Sequence, residues 1–309
     1  MIEEIKEEFI IIGNLNLDII AGEINQWPQI GTEIMVSQGE IRIGGAAGNS
    51  AIVSKRLGVS PAVISAIGND DFSKLMKYKL SELNINVDYL EEFPTKTPFS
   101  IGLTFSKNHE RTFFTFLSYL LDFNLGKKEY TLKNCKNKQI LLTGINLLPN
   151  LQNSKLIALL SSLKNNNNIV YLDPGHPTEG WECGYRNFIN ELLNYVDWFL
   201  PNENEFLNLV QEDKLEKAVR KFREQSNKIN CVIKMSSKGS YLITEKYKKL
   251  IKTEPSQNVQ DTIGAGDAFN AGLIVNLIYD KQNLENSINS ANLVAKNWIE
   301  GKYKQYTSL

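Results

Sequence analysis

The chain opens on an unbroken apolar run, Phe9-Ile10-Ile11-Ile12-Gly13, which suits a strand covered on both faces of a parallel sheet. Strand-like and helix-like segments then alternate. Apolar spacing predicts a helix over 46–57, a strand over 62–67, a helix over 71–83 ended near Asn84, and a second buried strand over 139–143. A helix over 154–163 follows, then strands over 169–173 and 198–200, and a helix that begins at Asn202 after Pro201 stops the strand. A helix over 215–224, strands over 231–235 and 241–244, and closing helices over 264–279 and 284–298 complete the pattern. It predicts an α/β fold: a doubly wound, mostly parallel sheet flanked by helices, with ligands beyond the carboxyl ends of the strands. No internal repeat interrupts it, and a single domain over residues 1–309 is expected.

Two segments break the alternation. Residues 19–43 and 98–116 carry strand-like stretches, Glu33-Ile-Met-Val-Ser37, Phe99-Ser-Ile-Gly-Leu-Thr-Phe105 and Arg111-Thr-Phe-Phe-Thr-Phe116, with no helix between them. They predict a small β-sheet that projects from the main domain. It is either an ordinary β excursion or a lid that closes over substrate and excludes water.

Composition narrows the ligand. Lys and Arg number 34 against 35 Asp and Glu, a net charge of −1, and the two signs are interleaved, so the basic stripe of a nucleic-acid binder is missing. A small-molecule ligand is expected. The longest apolar stretch, 268–279, carries Asn270 and Asn276 and falls short of the roughly 20 residues that span a bilayer. Three cysteines, Cys135, Cys183 and Cys231, form no C-x-x-C pair, and the acidic start of the chain lacks the order of a signal peptide; both fit a cytoplasmic protein with reduced thiols. The stretches 165–168 and 246–249 read as a polar loop and a solvated turn. His109 and His176 have no partner at ligand spacing and read as surface residues.

The strongest chemical signal is Asp261-Thr-Ile-Gly264-Ala265-Gly266-Asp267, a glycine-rich turn that runs into an apolar helix. Glycines let the backbone turn tightly, and the first free amides of a helix, aided by its dipole, attract negative charge. Asp267 sits where a carboxylate can take the proton of a hydroxyl as that hydroxyl meets a phosphoryl group held by the amides; the plainer role is a helix cap. Gly44-Gly45-Ala46-Ala47-Gly48-Asn49 opens another helix, with Asn49 offering an amide. Asn16 and Asp18, two apart, share one face of an extended segment and suit vicinal hydroxyls, or else form a turn. Asn202 and Glu205, three apart, share a helix start, either as a simple acidic first turn or as hard oxygen donors for hydrated magnesium. Neither a G-x-x-x-x-G-K-[ST] loop nor a dinucleotide fingerprint occurs.

Taken in order, these four elements make the chain resemble the ribokinase-like (PfkB) carbohydrate kinase family over nearly its whole length. The resemblance implies ATP-dependent phosphorylation of a hydroxyl on a small sugar or sugar derivative. It assigns Asp267 as general base, Gly264, Ala265 and Gly266 as the anion hole, Asn16, Asp18, Gly45 and Asn49 as sugar contacts, and Asp261 as a helper near the phosphoryl group. Asn202 and Glu205 resemble a magnesium and phosphate motif that acts through water, and Lys234, Ser236, Gly239 and Asn292 resemble the nucleotide side. It further implies Mg2+, ATP as co-substrate, a monovalent cation, and a homodimer through the lid, formed by 19–43 and 98–116. Arg111 in the lid suits an anionic substrate. Ser236 stands where the family usually has glycine, and Tyr119-Leu120 replaces a small Gly-Ala pair, which predicts a reshaped substrate pocket. The alternative substrate is a nucleoside, with Phe99, Phe105, Phe114 and Phe116 stacking on its base. A sugar-binding regulator without turnover is the alternative of a different class.

Overall fold

The computed structural model describes residues 4–105, 111–177, 179–226, 228–280 and 283–303. Its strands are β1 (Phe9–Ile12), β2 (Asn16–Ile24), β3 (Gln38–Gly44), β4 (Ala62–Ile67), β5 (Leu90–Glu92), β6 (Phe99–Phe105) and β7 (Arg111–Phe116). They continue with β8 (Gln139–Leu142), β9 (Ile169–Leu172), β10 (Trp198–Phe199), β11 (Asn230–Lys234), β12 (Ser240–Ile243) and β13 (Lys248–Ile251). The helices are α1 (Ala46–Arg56), α2 (Asp71–Glu82), α3 (Lys128–Lys133), α4 (Ser154–Asn165), α5 (Cys183–Leu192), α6 (Glu203–Val210), α7 (Leu215–Gln225), α8 (Ala265–Tyr279) and α9 (Leu284–Ile299).

Among the described residues nine strands form the main sheet, in the order β13-β12-β11-β10-β9-β8-β1-β4-β5. Pairing is parallel from β5 to β11 and antiparallel from β11 to β13. The apolar run of β1 is explained by its two faces: Ile10 and Ile12 join a core under α3 to α7, while Phe9 and Ile11 join a second core under α1, α2, α8 and α9. Both cores are built from aliphatic side chains and rings removed from water, the main favourable term in folding. β1 connects onward to one side of the sheet and β8 lies on its other side. That reversal opens a crevice at the carboxyl ends of β1 and β8, where ligands of open α/β sheets collect.

A second, four-stranded sheet, β3-β2-β6-β7, forms the lid. The expected strand over 33–37 is absent: those residues are exposed and irregular, and pairing with β2 starts only at Gln38, across from Gly22. The lysines at 246–249 are not merely a turn either. Thr244 N–H donates to Tyr247 O at 2.8 Å, which reverses the chain and makes β13 an edge strand whose lysines face water, a common way to blunt a sheet edge. No helix among the described residues is long and apolar enough to cross a membrane.

Candidate active site

Asn14 leaves β1 at the switch-point crevice, and its Oδ1 accepts from Ala46 N–H at 3.1 Å while its own carbonyl accepts from Ala47 N–H. The start of α1 is thereby tied to the end of β1. Gly45 makes the approach feasible: its φ is 81°, and a Cβ there would lie 2.4 Å from Asn14 O. Asn49, one turn into α1, then points across to α8.

The turn before α8 carries the residues expected to hold an anion. Gly264, with φ 78°, is the left-handed residue at its start. Ala265 N–H is committed to Thr262 O at 3.2 Å, so Gly266 and Asp267 carry the next amides that a helix start leaves for an anion. Asp267 Oδ2 accepts from Asn49 Nδ2 at 2.9 Å. Burial, then the neighbouring Asp173 carboxylate, pushes the Asp267 carboxyl up to about 7. Of the residues expected to form an anion hole, Gly264 opens the turn and Ala265 N–H closes it, which leaves the amides of Gly266 and Asp267 without a partner of that kind.

Beside that turn lies a charged cluster that β9, β11 and α6 deliver. Lys234 Nζ donates to Asp173 Oδ2 at 2.7 Å and to Asn270 Oδ1 at 3.3 Å. Burial alone would lower the Lys234 pKa, but Asp173, Glu205 and Asp267 outweigh it and hold it above the usual value. The ammonium sits 3.4 Å from where a Cβ on Gly266 would be, so it flanks the anion hole. Asn202 and Glu205 form a reciprocal capping box at α6, 2.9 and 2.8 Å. Burial, then Asp173, pushes the Glu205 carboxyl up to about 7. The pair is thus more than an acidic first turn: it caps α6, and it also lines the cavity described next.

A cavity of about 710 Å³ runs from Asp267 past Lys234 and Ser236 to Asn292, with Val259 and Ile299 as apolar wall. It is within the size range of ligand pockets. Asn292 Oδ1 accepts from Ser240 Oγ at 2.7 Å. Gly239 has φ 98°, and a Cβ there would lie 2.2 Å from Ile251 O, so the β11–β12 turn depends on it. His176 is exposed at the cavity's edge, while His109 lies outside the described residues.

On the lid side, Asn16 Nδ2 donates to Asp18 Oδ1 at 2.8 Å and reaches Ser100 Oγ at 3.4 Å, and Ser100 shares a 3.0 Å hydrogen bond with Thr115. Both Asn16 and Asp18 are buried. Burial raises the Asp18 pKa against the pull of Arg42, whose guanidinium lies 3.6 Å from Asp18 and 2.7 Å from Asp261. Register settles which lid residues share this face: Ser100 pairs with Thr115 and Gly102 with Phe113. Phe99, Phe105, Phe114 and Phe116 alternate onto the opposite face, where Trp27 stacks on Phe105 and meets Phe114 at a tilt, and Phe99 packs edge-on against Phe72. The expected base-stacking set is thus turned away from the site, and Phe113 is the ring on the site's side of the lid. The backbone of Arg111 pairs with Thr104; its side chain lies outside the described residues. Leu120 of the Tyr119-Leu120 pair is buried in the core; the side chain of Tyr119 lies outside the described residues.

Sequence reasoning missed Arg42 and Asp173. Asp173 carried one usable signal, an acid at the carboxyl end of a buried apolar strand. Among the described residues no three His, Cys, Asp or Glu side chains are arranged to hold a metal ion by themselves. The donor chemistry present, carboxylate and amide oxygen at Glu205, Asp173 and Asn202, fits hydrated magnesium, which keeps several waters and shares phosphate oxygens.

A switch-point crevice, a four-stranded lid and a glycine-opened helix with an acid in its first turn define the ribokinase-like class of phosphotransferases with an alcohol acceptor. The comparison with known families agrees with that architecture. Residues 6–308 match the pfkB family carbohydrate kinase, and the chain belongs to this family. It is 25% identical over 275 residues to the ATP-dependent 6-phosphofructokinase of Thermoanaerobacterium thermosaccharolyticum, covering 88% of this chain and 82% of that protein. It is 26% identical over 291 residues to the nucleoside kinase of Methanocaldococcus jannaschii, covering 87% and 82%. The ribokinase from Thermotoga maritima shares the fold with a TM-score of 0.77 at 22% identity, over 95% of this chain and 93% of that one. Arabidopsis thaliana ribokinase, complexed with ribose and ATP, shares it with a TM-score of 0.76 at 20% identity, over 96% and 93%.

Proposed function

We propose that the protein transfers the γ-phosphoryl group of ATP to a hydroxyl of a small sugar or sugar derivative, with Asp267 as general base. The observation that carries this reading is the Asp267 carboxyl in the first turn of α8. It is held by Asn49 at 2.9 Å and has a pKa pushed up to about 7, near the operating value that a general base favours. The acceptor lies between Asp267 and the lid, where Asn16, Asp18 and Asn49 bind its other hydroxyls and Gly45 leaves room for it. The amides of Gly266 and Asp267 receive the charge that develops on the transferring group, and Gly264 and Ala265 shape the turn that presents them. Lys234 adds a fixed positive charge beside them.

ATP occupies the 710 Å³ cavity, with Ser236, Gly239 and Asn292 along its nucleotide side. Glu205 and Asn202 hold magnesium through water, and the ion, when bound, neutralises phosphate charge. Asp261 supports the turn, and Arg111 serves an anionic acceptor. The exposed lid rings Phe114 and Phe116, with Ile101, offer the surface for a homodimer. The buried free thiols of Cys135 and Cys231 suit a reducing cytoplasm.

A nucleoside acceptor is the second reading, favoured by Phe113 on the site's face of the lid and by the nucleoside-kinase relative. A panel of D-ribose, D-fructose, fructose 6-phosphate and inosine with Mg·ATP decides between them. Transfer to a sugar and not to inosine supports the leading reading, transfer to inosine alone replaces it, and binding without turnover makes the protein a sugar-binding regulator. With the accepted substrate, Asp267→Asn lowers kcat at least about 100-fold while ATP binding is kept. An unchanged kcat removes Asp267 from the mechanism.

A further inference from the structure

The lid and the turn before α8 are joined by a side chain that belongs to none of the sequence motifs. Arg42 stands on β3 directly across from Asp18 on β2, and it is 3% exposed. Its Nε lies 3.6 Å from Asp18 Oδ2, and its Nη1 donates to Asp261 Oδ2 at 2.7 Å, 219 positions along the chain. A Cβ on Gly44 would fall 2.3 Å from Asp18 Oδ1, so Asp18 lies pressed over β3 toward the guanidinium.

Asp261 is itself a structural hinge of the anion site. Its Oδ1 accepts from Ile263 N–H at 2.9 Å, closing the side-chain turn that delivers Gly264 to the start of α8. One oxygen of the carboxylate therefore shapes the turn, and the other is held from the lid. Support from the opposite side comes from α9 and its end: Trp298 Nε1 donates to Ile263 O at 2.6 Å, and Asp261 N–H donates to Ile299 O at 3.2 Å. Residues 261–263 form no helix or strand, so the direction of the amides that follow depends on side-chain and loop contacts such as these.

We infer that Arg42 is the positioning residue that fixes the anion-hole turn from the lid, through a buried Asp18–Arg42–Asp261 chain of ion pairs. One guanidinium then sets both the carboxylate on the sugar side and the amides on the phosphate side. A planar fork can serve two carboxylates at once, whereas an ammonium is a point charge on a flexible stem. Buried ion pairs add little net stability but are costly to break on one side, so the pairing is better read as placement than as glue. The catalytic consequence rests on the kinase reading above; the placement does not.

Two readouts on the full chain test it, with Arg42→Lys and Arg42→Met against wild type. Amide hydrogen exchange of the free protein needs no ligand: exchange over 261–267 accelerates about tenfold or more in both variants, while residues 273–275 inside α8 keep their rates. Transfer from ATP to whichever of D-ribose, D-fructose, fructose 6-phosphate or inosine the wild type phosphorylates loses about tenfold or more in kcat in Arg42→Lys, with KM for ATP within about threefold. If Arg42→Met does not fold, Arg42→Lys, which keeps the charge, carries both arms. A result in which only one of the readouts moves, or neither, overturns the inference. A wild type that phosphorylates none of the four acceptors counts against the kinase reading only; exchange then decides the placement, with accelerated rates supporting it and unchanged rates overturning it.

Discussion

The two ends of the site handle negative charge differently. At the lid end, two carboxylates, Asp18 and Asp261, face one guanidinium that touches both. At the phosphate end, three carboxylates, Asp173, Glu205 and Asp267, surround one ammonium, Lys234, which bonds directly to Asp173 alone among them. The lid end, with both of its acids paired to one guanidinium, carries the smaller surplus of negative charge and suits holding hydroxyls in fixed places. The phosphate end carries a surplus of negative charge in a buried setting, and two of its acids respond by holding protons up to about pH 7. An imbalance of this kind suits a group that must take up a proton and a patch that must attract a cation.

Restoring or worsening the balance at either end separates their roles. Next to Asp267→Asn, which loses at least about 100-fold in kcat, Lys234→Met has the largest expected effect: kcat falls about 10- to 100-fold, and the acid limb of the pH–rate profile moves upward, because the carboxylates lose their shared counter-charge. Steady-state kinetics across pH checks it, and an unmoved limb would contradict the coupling. Asp18→Asn comes next, with KM for the sugar raised about tenfold through loss of a charged hydrogen-bond acceptor while KM for ATP stays nearly constant.

Asp267→Asn has a smaller effect of opposite sign on stability. The folded pKa of about 7 lies above the ordinary carboxyl value, so the native state binds a proton that the unfolded chain has lost. Stability is full at acid pH and falls as pH rises toward 7. The variant escapes this loss, and thermal melts at pH 8 should show it more stable than wild type by on the order of 1 kcal/mol, with no gain at pH 4. Asn202→Ala removes the cap on α6 together with the amide oxygen beside Glu205; it costs about 1 kcal/mol, read from chemical denaturation, with a modest rise in KM for Mg·ATP.

The order of elements was legible because buried parallel strands leave continuous apolar runs, as in Phe9–Ile12, and because glycine turns at helix starts stand out locally. Asp267 and Asn49 were found for the same reason. Arg42 was not, since a lone arginine between Ile41 and Ile43 looks like a solvent-facing strand position, and its partner Asp261 is remote in sequence. The lid rings were assigned to the wrong face because Phe113 and Phe114 are neighbours, and a one-residue change of register exchanges the faces. Pairing across β6 and β7 decides that, not composition. The use of the Ala265 amide within the turn was equally hidden, as it depends on the hydrogen bond from Ala265 N–H to Thr262 O.

The most direct measurement is the pH dependence of kcat/KM for the accepted sugar between pH 5 and 9, in wild type and Asp267→Asn. The proposed role requires wild-type activity to drop about tenfold per unit below an apparent pKa near 7, and the low residual rate of the variant to lose that limb. A wild-type profile flat through this range, or the same limb persisting in Asp267→Asn, would contradict the assignment of Asp267 as the base.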